Sequence, residues 1–469
     1  MENDSSDRIV RHLRGLVAES GPGGRLPSTR VLARRFGAGP VTVQKAIGHL
    51  VAEGSVETRP GAGTFVTRPP TARRALEVDW QTTALGPERS GPSPIGSTLR
   101  GIDADTIAMH GGYPAIDLMP MRDVRSALTR AARSDEAFDR PPVTGVAELR
   151  AWFVRELSAD GASGSGRGQP WRESDAVITS GGQSALSAVF RALAGPGESI
   201  VMESPTYWGA IAAARQAGLV IVPVARTTRA PSADDLDEAM RASGARLFYA
   251  QPNFANPTGA LWTPDERRAV LDVVADRRGF LVEDDWAHDF AIDAPVAPVA
   301  ADDTDGHVVY IRSLTKSASL ALRVAAVIAR GPARQRISNA LAVSDLYVSP
   351  ILQRAALDVV TRPAWRTHCT RLRRDLAERR DRLVAAIGDH APGLEITHIP
   401  RGGLNLWLRL PEDVDAEVFA ARSLAAGVSI SPGAEWFPAA VAGPYIRLNY
   451  GSADPTRHVE AAHILESLL

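Results

Sequence analysis

Tyr310-Ile311-Arg312-Ser313-Leu314-Thr315-Lys316, the close of a run that begins at Val308, decides how this chain is read. The β-branched stretch over 308–312 predicts a buried strand. Lys316 then lies just past the strand, and Arg323 follows seven residues later. A lysine in an apolar pocket beside a second cation has a lowered pKa and can attack a carbonyl to form a Schiff base. Ser313, Thr315 and Arg323 together can hold a dianionic phosphate through hydroxyl and guanidinium hydrogen bonds. Composition adds weight to Lys316. Among 53 basic residues the only lysines are Lys45 and Lys316, and the other 51 are arginine.

Outward from this stretch, strand patterns alternate with helical ones. Strands are expected over 176–179, 199–202, 220–224, 246–250, 280–283, 308–312 and 324–329, with helices over 183–194, 207–217 and 263–278. The last helix opens on Thr263-Pro264-Asp265-Glu266, a capping box with proline at the first helical position. Such alternation predicts a largely parallel α/β sheet with both faces covered. From about 350 onward, a charged helix over 367–387 and strands over 404–410 and 445–449 point to a smaller α+β unit.

Three further pieces gather around Lys316. Thr179-Ser180-Gly181-Gly182-Gln183 reads as strand, glycine turn and helix start, so Gly182 and Gln183 would offer backbone N–H groups to an anion. Glu283-Asp284-Asp285 ends a strand and places Asp284 at the carboxyl edge of the sheet, where α/β proteins bind ligands; Asp285 is expected as its exposed neighbour. Asn253–Gly259 ends another strand and offers Asn256. A lysine, a phosphate cradle, an aspartate to keep a pyridine nitrogen protonated and an asparagine for the ring hydroxyl are the parts of a pyridoxal phosphate site.

The first 68 residues differ from the rest. They hold ten Lys/Arg and six Asp/Glu, a net of +4, against −5 for the remainder. Ile9, Leu13, Leu16 and Val17 share one helical face. Val31, Leu32 and Phe36 serve a second helix behind Ser28 as N-cap, and Val43, Ile47 and Leu50 a third. The turn between the last two is Gly37-Ala38-Gly39-Pro40. The stretch 56–66 then reads as a two-stranded ribbon tipped by Arg59-Pro60-Gly61-Ala62-Gly63. Three helices and a β-wing make a winged helix-turn-helix, its third helix suited to the major groove. Residues 69–105, rich in Gly, Pro, Ser and Thr, are expected to form a linker with a short strand around Trp80. The Gly/Ser-rich 160–168 is read as a surface loop.

Arg25-Leu26-Pro27-Ser28-Thr29-Arg30, Val41-Thr42-Val43-Gln44-Lys45-Ala46 and 59–66 resemble the DNA-binding domain of GntR-type bacterial regulators. The resemblance implies DNA contacts at Arg30, Thr42, Gln44, Lys45, Arg59 and Gly61. Where that family commonly has Ser-Arg leading into the third helix, this chain has Gly39-Pro40. From about 106 to 469 the blocks are similar to fold-type I aminotransferases. Ser313-Leu314-Thr315-Lys316 with Arg323 corresponds to their Schiff-base block, Asn256-Pro257-Thr258-Gly259 to the ring-hydroxyl block and Asp284 to the pyridine partner. Tyr207 stands where an aromatic covers the cofactor, Arg447 where an arginine holds a substrate carboxylate, and Gly112-Tyr113-Pro114 and Gly145 fall in the N-terminal blocks. Three positions depart from the pattern. Trp286 replaces a tyrosine, Leu320-Ala321 replaces Pro-Gly, and Arg140 stands near the place of a missing partner-subunit tyrosine. With the winged helix in front, the whole resembles MocR-type regulators, with units at 1–68, 69–105 and 106–469, the last ending in a small subdomain from about 350.

That resemblance implies a homodimeric regulator that binds an operator and senses an amino compound, or pyridoxal phosphate itself, through aldimine chemistry at Lys316. A catalytically active aminotransferase with an accessory DNA-binding head remains the alternative. One cysteine, Cys369, excludes a disulfide scaffold and fits a reducing compartment. The polar start MENDSSDR carries no signal-peptide core, and no apolar run reaches membrane-spanning length, so a cytoplasmic protein is expected. His110, His288, His307, His368 and His398 have no metal-ligand spacing, and no metal is expected.

Overall fold

In the N-terminal unit, apolar residues at helical spacing build one small core. Helix Glu2–Ser20 buries Ile9 and Leu13, helix Thr29–Phe36 buries Leu32, and helix Pro40–Ala52 buries Val43, Ala46, Ile47 and Leu50. Val31 turns away from that core and is 44% exposed, because Leu32 and Phe36, four residues apart, already define the buried face. Ser28 occupies the N-cap position, yet its hydroxyl makes no capping bond. Gly37 ends the second helix at φ 60°, the left-handed conformation that favours glycine. Pro40 opens the third helix, where a missing N–H costs nothing. Strands Val56–Arg59 and Gly63–Val66 pair antiparallel, Val56 opposite Val66, as the wing.

The computed structural model of the chain describes residues 2–67, 79–85, 97–160, 170–226, 228–296 and 298–469. Residues 1–87 and 88–469 form two compact units. The strand expected around Trp80 is instead a helix, Asp79–Leu85, and Trp80 is 66% exposed on it. Of the Gly/Ser-rich loop expected at 160–168, Asp160 ends the helix Ala147–Asp160, and the rest lies outside the described residues, as does most of the 69–105 segment. The end of that segment does not: Ser97–Leu99 form one 3-10 turn packed into the second unit.

The second unit is built on a seven-stranded sheet. Its strands are β1 (Ala176–Thr179), β2 (Ser199–Ser204), β3 (Val220–Ala225), β4 (Leu247–Ala250), β5 (Phe280–Asp285), β6 (Val308–Ser313) and β7 (Ala325–Ile328). They lie in the order β1-β7-β6-β5-β4-β2-β3. The sheet is mixed rather than wholly parallel, because β7 runs antiparallel to both β1 and β6. Side chains alternate between two cores. Val177, Tyr249 and Ile311 pack toward helices Gly182–Leu193 and Trp208–Gln216, while Ile178, Phe248 and Tyr310 pack toward Met121–Arg133 and Ala147–Asp160. The capping box of helix Pro264–Asp276 forms in both directions, Glu266 N–H to the Thr263 hydroxyl at 3.3 Å and Thr263 N–H to the Glu266 carboxylate at 2.8 Å. Such a cap stabilises a helix by about 1 kcal/mol.

The C-terminal part carries a four-stranded antiparallel sheet, Glu395–Ile396, Asn405–Arg409, Tyr445–Asn449 and Ser431–Pro432 in that order, with the 28-residue helix Pro363–His390 beside it. Its core reaches back to the start of the unit, since Ile107–Ala108 pairs with Val428–Ser429. Among the described residues no helix is long and apolar enough to cross a membrane.

Candidate ligand site and nucleic-acid interface

The sheet topology explains why residues far apart in sequence meet. β1, β6, β5, β4 and β2 present their carboxyl ends to one edge, and the antiparallel β7 begins there. Gly182 and Gln183 follow β1, Lys316 follows β6, Asp284 sits in the last turn of β5, Asn256 follows β4 and Tyr207 follows β2. Arg323 immediately precedes β7. Gly182, Gln183, Tyr207, Asn256, Asp284, Ser313, Thr315, Lys316 and Arg323 all line one cavity of ≈ 490 Å³.

Lys316 is the centre of it. Its Nζ lies 4.2 Å from the centre of the Trp286 ring and 5.9 Å from that of Tyr207. Burial lowers its pKa to about 8; the nearby Asp284 opposes that shift and Arg447 adds to it. Asp284 accepts hydrogen bonds from the Tyr249 hydroxyl and the Gln251 amide, both at 2.8 Å. Burial still pushes the Asp284 carboxyl above its ordinary value, against those two bonds and the Lys316 charge. Asn256 is fixed from its backbone, whose N–H donates to the Gln251 side-chain carbonyl at 2.9 Å. Gln251 thus holds two of the site's polar groups with one amide. Only its position, a polar residue at the carboxyl end of a buried strand, could have drawn attention to it.

At the phosphate end, the Ser313 and Thr315 hydroxyls bond one another at 3.1 Å, and Arg323 reaches the Ser180 carbonyl at 3.2 Å. The first helical bond runs from Ala185 N–H to Gly181 O, which leaves the amides of 182–184 without helical acceptors. Gly181 has φ 91°, and a Cβ there would stand 2.9 Å from the Arg323 guanidinium, so cation and helix terminus are packed together as only glycine permits. The Gln183 side chain is used locally, donating to Gly209 O at 2.7 Å and accepting from the Tyr207 hydroxyl at 3.2 Å.

Arg447 lies behind this cavity and does not line it. It is fully buried, donates to Asn256 at 3.2 Å and to the backbone carbonyls of His110 and Gly111, and its guanidinium lies 4.4 Å from the Trp436 ring centre. No carboxylate of the described residues forms an ion pair with it, and its Nε has no acceptor. Burial lowers its pKa to about 9. Asp285, expected at the surface, is 0% exposed; it accepts from His288 and the Tyr310 hydroxyl, both at 2.7 Å. Asp285 is buried because β5 extends to it and both faces of the sheet are covered. Arg140 is exposed. Thr98, Leu99, Tyr113 and Trp208 also line the cavity, and no motif around Thr98 or Leu99 announced them. No group of metal-ligating side chains is present among the described residues.

The donor set fits pyridoxal phosphate. A poised amine, a carboxylate, an aromatic cover, two hydroxyls, a guanidinium and a free helix terminus converge on one space. The buried Trp286 Nε1–H, 7% exposed with no acceptor, adds a donor that the protein itself leaves unsatisfied.

In the N-terminal unit, the core positions of helix Pro40–Ala52 leave Val41, Gln44, Lys45, Gly48 and His49 exposed along the opposite face, while Thr42 is half-buried. Val41, passed over in the sequence, is 80% exposed at the start of that face. Arg30 is exposed on the preceding helix. Arg59 is held on the wing by Glu57 at 2.9 Å and by the Phe65 ring, 4.8 Å from its guanidinium, beside Gly61 with φ 74°.

Comparison with known proteins agrees with both halves. The family described as aminotransferase class I and II matches residues 113–462, and the bacterial regulatory proteins of the gntR family match 5–66. An uncharacterized HTH-type transcriptional regulator of Bacillus subtilis, YdfD, is 26% identical over 92% of this chain and 89% of its own length. The probable rhizopine catabolism regulatory protein MocR of Rhizobium meliloti is 28% identical over 94% and 89%. The α-aminoadipate aminotransferase LysN of Thermus thermophilus, solved with N-(5'-phosphopyridoxyl)-L-leucine, superposes with a TM-score of 0.73 at 27% identity, covering 81% of this chain and 95% of that one. Sheet, site and head together make this chain a member of the class I and II aminotransferase family that carries a gntR-family DNA-binding head, the organisation of the MocR-type transcription regulators.

Proposed function

We propose that the chain is a pyridoxal phosphate-dependent regulator that binds an operator through its winged helix and senses an amino compound in the Lys316 cavity. The observation that carries this reading is the convergence of nine candidate residues on one cavity, with a half-buried lysine at its centre. When bound, the cofactor supplies an electrophilic carbon to amines and a ring that withdraws electrons. Lys316 provides the amine that tethers it, unprotonated more readily than an ordinary lysine. Asp284 provides the charge for the ring nitrogen, held in place by Tyr249 and Gln251. Asn256 and Trp286 would hold the ring hydroxyl, to which Trp286 could only donate. Ser313, Thr315, Arg323 and the amides at 182 and 183 take the phosphate. We assign Arg447, which lies behind Asn256 with no carboxylate partner among the described residues, as the donor that an amino acid effector's carboxylate would reach from the cavity.

The head reads DNA with Arg30, Thr42, Gln44, Lys45, Arg59 and Gly61, in the unit we assign to 1–68, followed by the 69–105 segment and the 106–469 ligand-binding body. We assign the chain to a cytoplasmic homodimer on its likeness to aminotransferases. Titration of the full chain with pyridoxal phosphate tests the reading. A visible absorption band that is lost in Lys316→Ala supports it, and the absence of a band in the unaltered protein overturns it. Sustained keto-acid production from amino acids would instead favour the aminotransferase alternative.

A further inference from the structure

The segment that joins the head to the body ends in the wall of the ligand cavity. Thr98 and Leu99 line it, and Leu99 keeps 51% of its surface exposed although it is apolar. The turn that carries them is clamped to one carboxylate: Glu435 accepts the Ser97 N–H at 2.7 Å and the Ser97 hydroxyl at 3.1 Å. One residue further, the Arg100 carbonyl is bonded to His110 Nε2 at 3.1 Å. Glu435 also precedes Trp436, whose ring lies against Arg447, and Arg447 bonds Asn256 in the same cavity. A single short path of contacts therefore runs from the ligand space to Ser97, the first described residue of the body.

We propose that Leu99 is a ligand-contacting residue and that the Ser97–Glu435 clasp is the positioning element through which occupancy of the cavity changes DNA binding. The proposal rests on the reading of the cavity as an effector site. A ligand shifts an equilibrium only by contacts that differ between the two states. Leu99 supplies such a contact, since a ligand that fills the cavity covers its exposed face and holds the 97–99 turn on Glu435. An empty cavity leaves the turn held by the clasp, the burial of Ser97 and Thr98 and the neighbouring Arg100–His110 bond, without the contact to Leu99. The head follows on this proposal, because the 97–99 turn is the first described segment of the body after the head.

The test uses the full chain and a probe that fills both the cofactor and the side-chain space, N-(5'-phosphopyridoxyl)-L-leucine, with a duplex selected from a random pool by the same protein. In the unaltered chain the probe should change DNA affinity about fivefold or more, within the usual range of allosteric coupling. It should also slow hydrogen exchange at the 97–99 amides. Glu435→Ala, which removes both acceptors, should bind the probe within about twofold of the unaltered chain and lose most of that change, together with the exchange protection, and Ser97→Ala, which keeps the backbone bond, should lose a smaller part. Glu435→Ala retaining the full response with normal probe binding overturns the proposal. So does an unaltered chain that binds the probe without any change in DNA affinity, which leaves the reading of the cavity standing. An unaltered chain that does not bind the probe overturns both.

Discussion

The two lysines of this chain occupy opposite environments. Lys45 stands exposed on the third helix of the head beside Gln44, with no ion pair among the described residues. Lys316 is half-buried between Trp286 and Asp284, with a pKa lowered to about 8. In the head, a cation meets phosphate through water-accessible charge, and arginine carries that charge as well as lysine. In the body, burial lowers the amine's pKa toward neutrality, as the proposed imine chemistry needs, and a guanidinium cannot form the imine. On the proposed function, the same residue type is replaceable in one region and irreplaceable in the other.

The largest expected effect separates the regions directly. Lys316→Arg should abolish the visible band formed with pyridoxal phosphate while leaving affinity for a selected operator duplex, measured without cofactor, within about twofold. Lys45→Arg should do neither, keeping the band and DNA affinity within about twofold. A Lys316→Arg protein that still forms the band would break the comparison.

Next comes the pH dependence of cofactor uptake. Only the neutral amine attacks, so the uptake rate should rise about tenfold per pH unit below pH 8 and level off above it, where an ordinary lysine would keep rising toward 10.5. The negative charge of Asp284 favours the ammonium and so works against the lowering. Asp284→Asn should therefore move the break to lower pH. Stopped-flow absorbance across pH 6 to 10 reads both, and a break that moves upward in the variant would contradict the assignment of that charge (pH range chosen for roughly two units either side of 8).

How much of this was legible beforehand follows a physical divide. Residues that act through a motif at a strand end, such as Lys316, Asp284, Asn256 and Gly182, could be placed because the sheet topology forces strand ends together. Gln251 and Tyr249, which hold Asp284, could not, since their role depends on which strands are neighbours, and β4 beside β5 is a long-range fact. Asp285 was misjudged for a related reason. A carboxylate at a strand end reads as exposed unless the partners His288 and Tyr310 are known to fold over it. Leu99 lies in a Gly/Pro/Ser-rich segment, whose composition marks a linker and hides the last turn's docking on Glu435. In the head, Val31 shows that an apolar residue one position off the helix stripe can face solvent.

Smaller effects test the head alone. Lys45→Ala should weaken operator binding several-fold and lower the log–log salt slope by about one, the contribution of one phosphate contact. The Lys316 band should not change. A loss confined to one operator sequence, with the salt slope intact, would reassign Lys45 from phosphate to base.

The smallest effect belongs to Val41. An apolar side chain 80% exposed at the start of the third helix, on the face that carries Gln44 and Lys45, has no packing role in the free protein. In the major groove the matching apolar group is the thymine 5-methyl, while Gln44 suits adenine. A selected operator should then contain a thymine whose replacement by uracil, which removes only the methyl group, weakens binding about two- to fivefold, well below the loss expected for a bidentate base contact. In Val41→Ala the same replacement should cost less, because the partner methyl groups are gone from the protein side. A uracil scan that weakens both proteins equally at every position would show that Val41 reads no base, and would leave the specificity of this helix to Gln44.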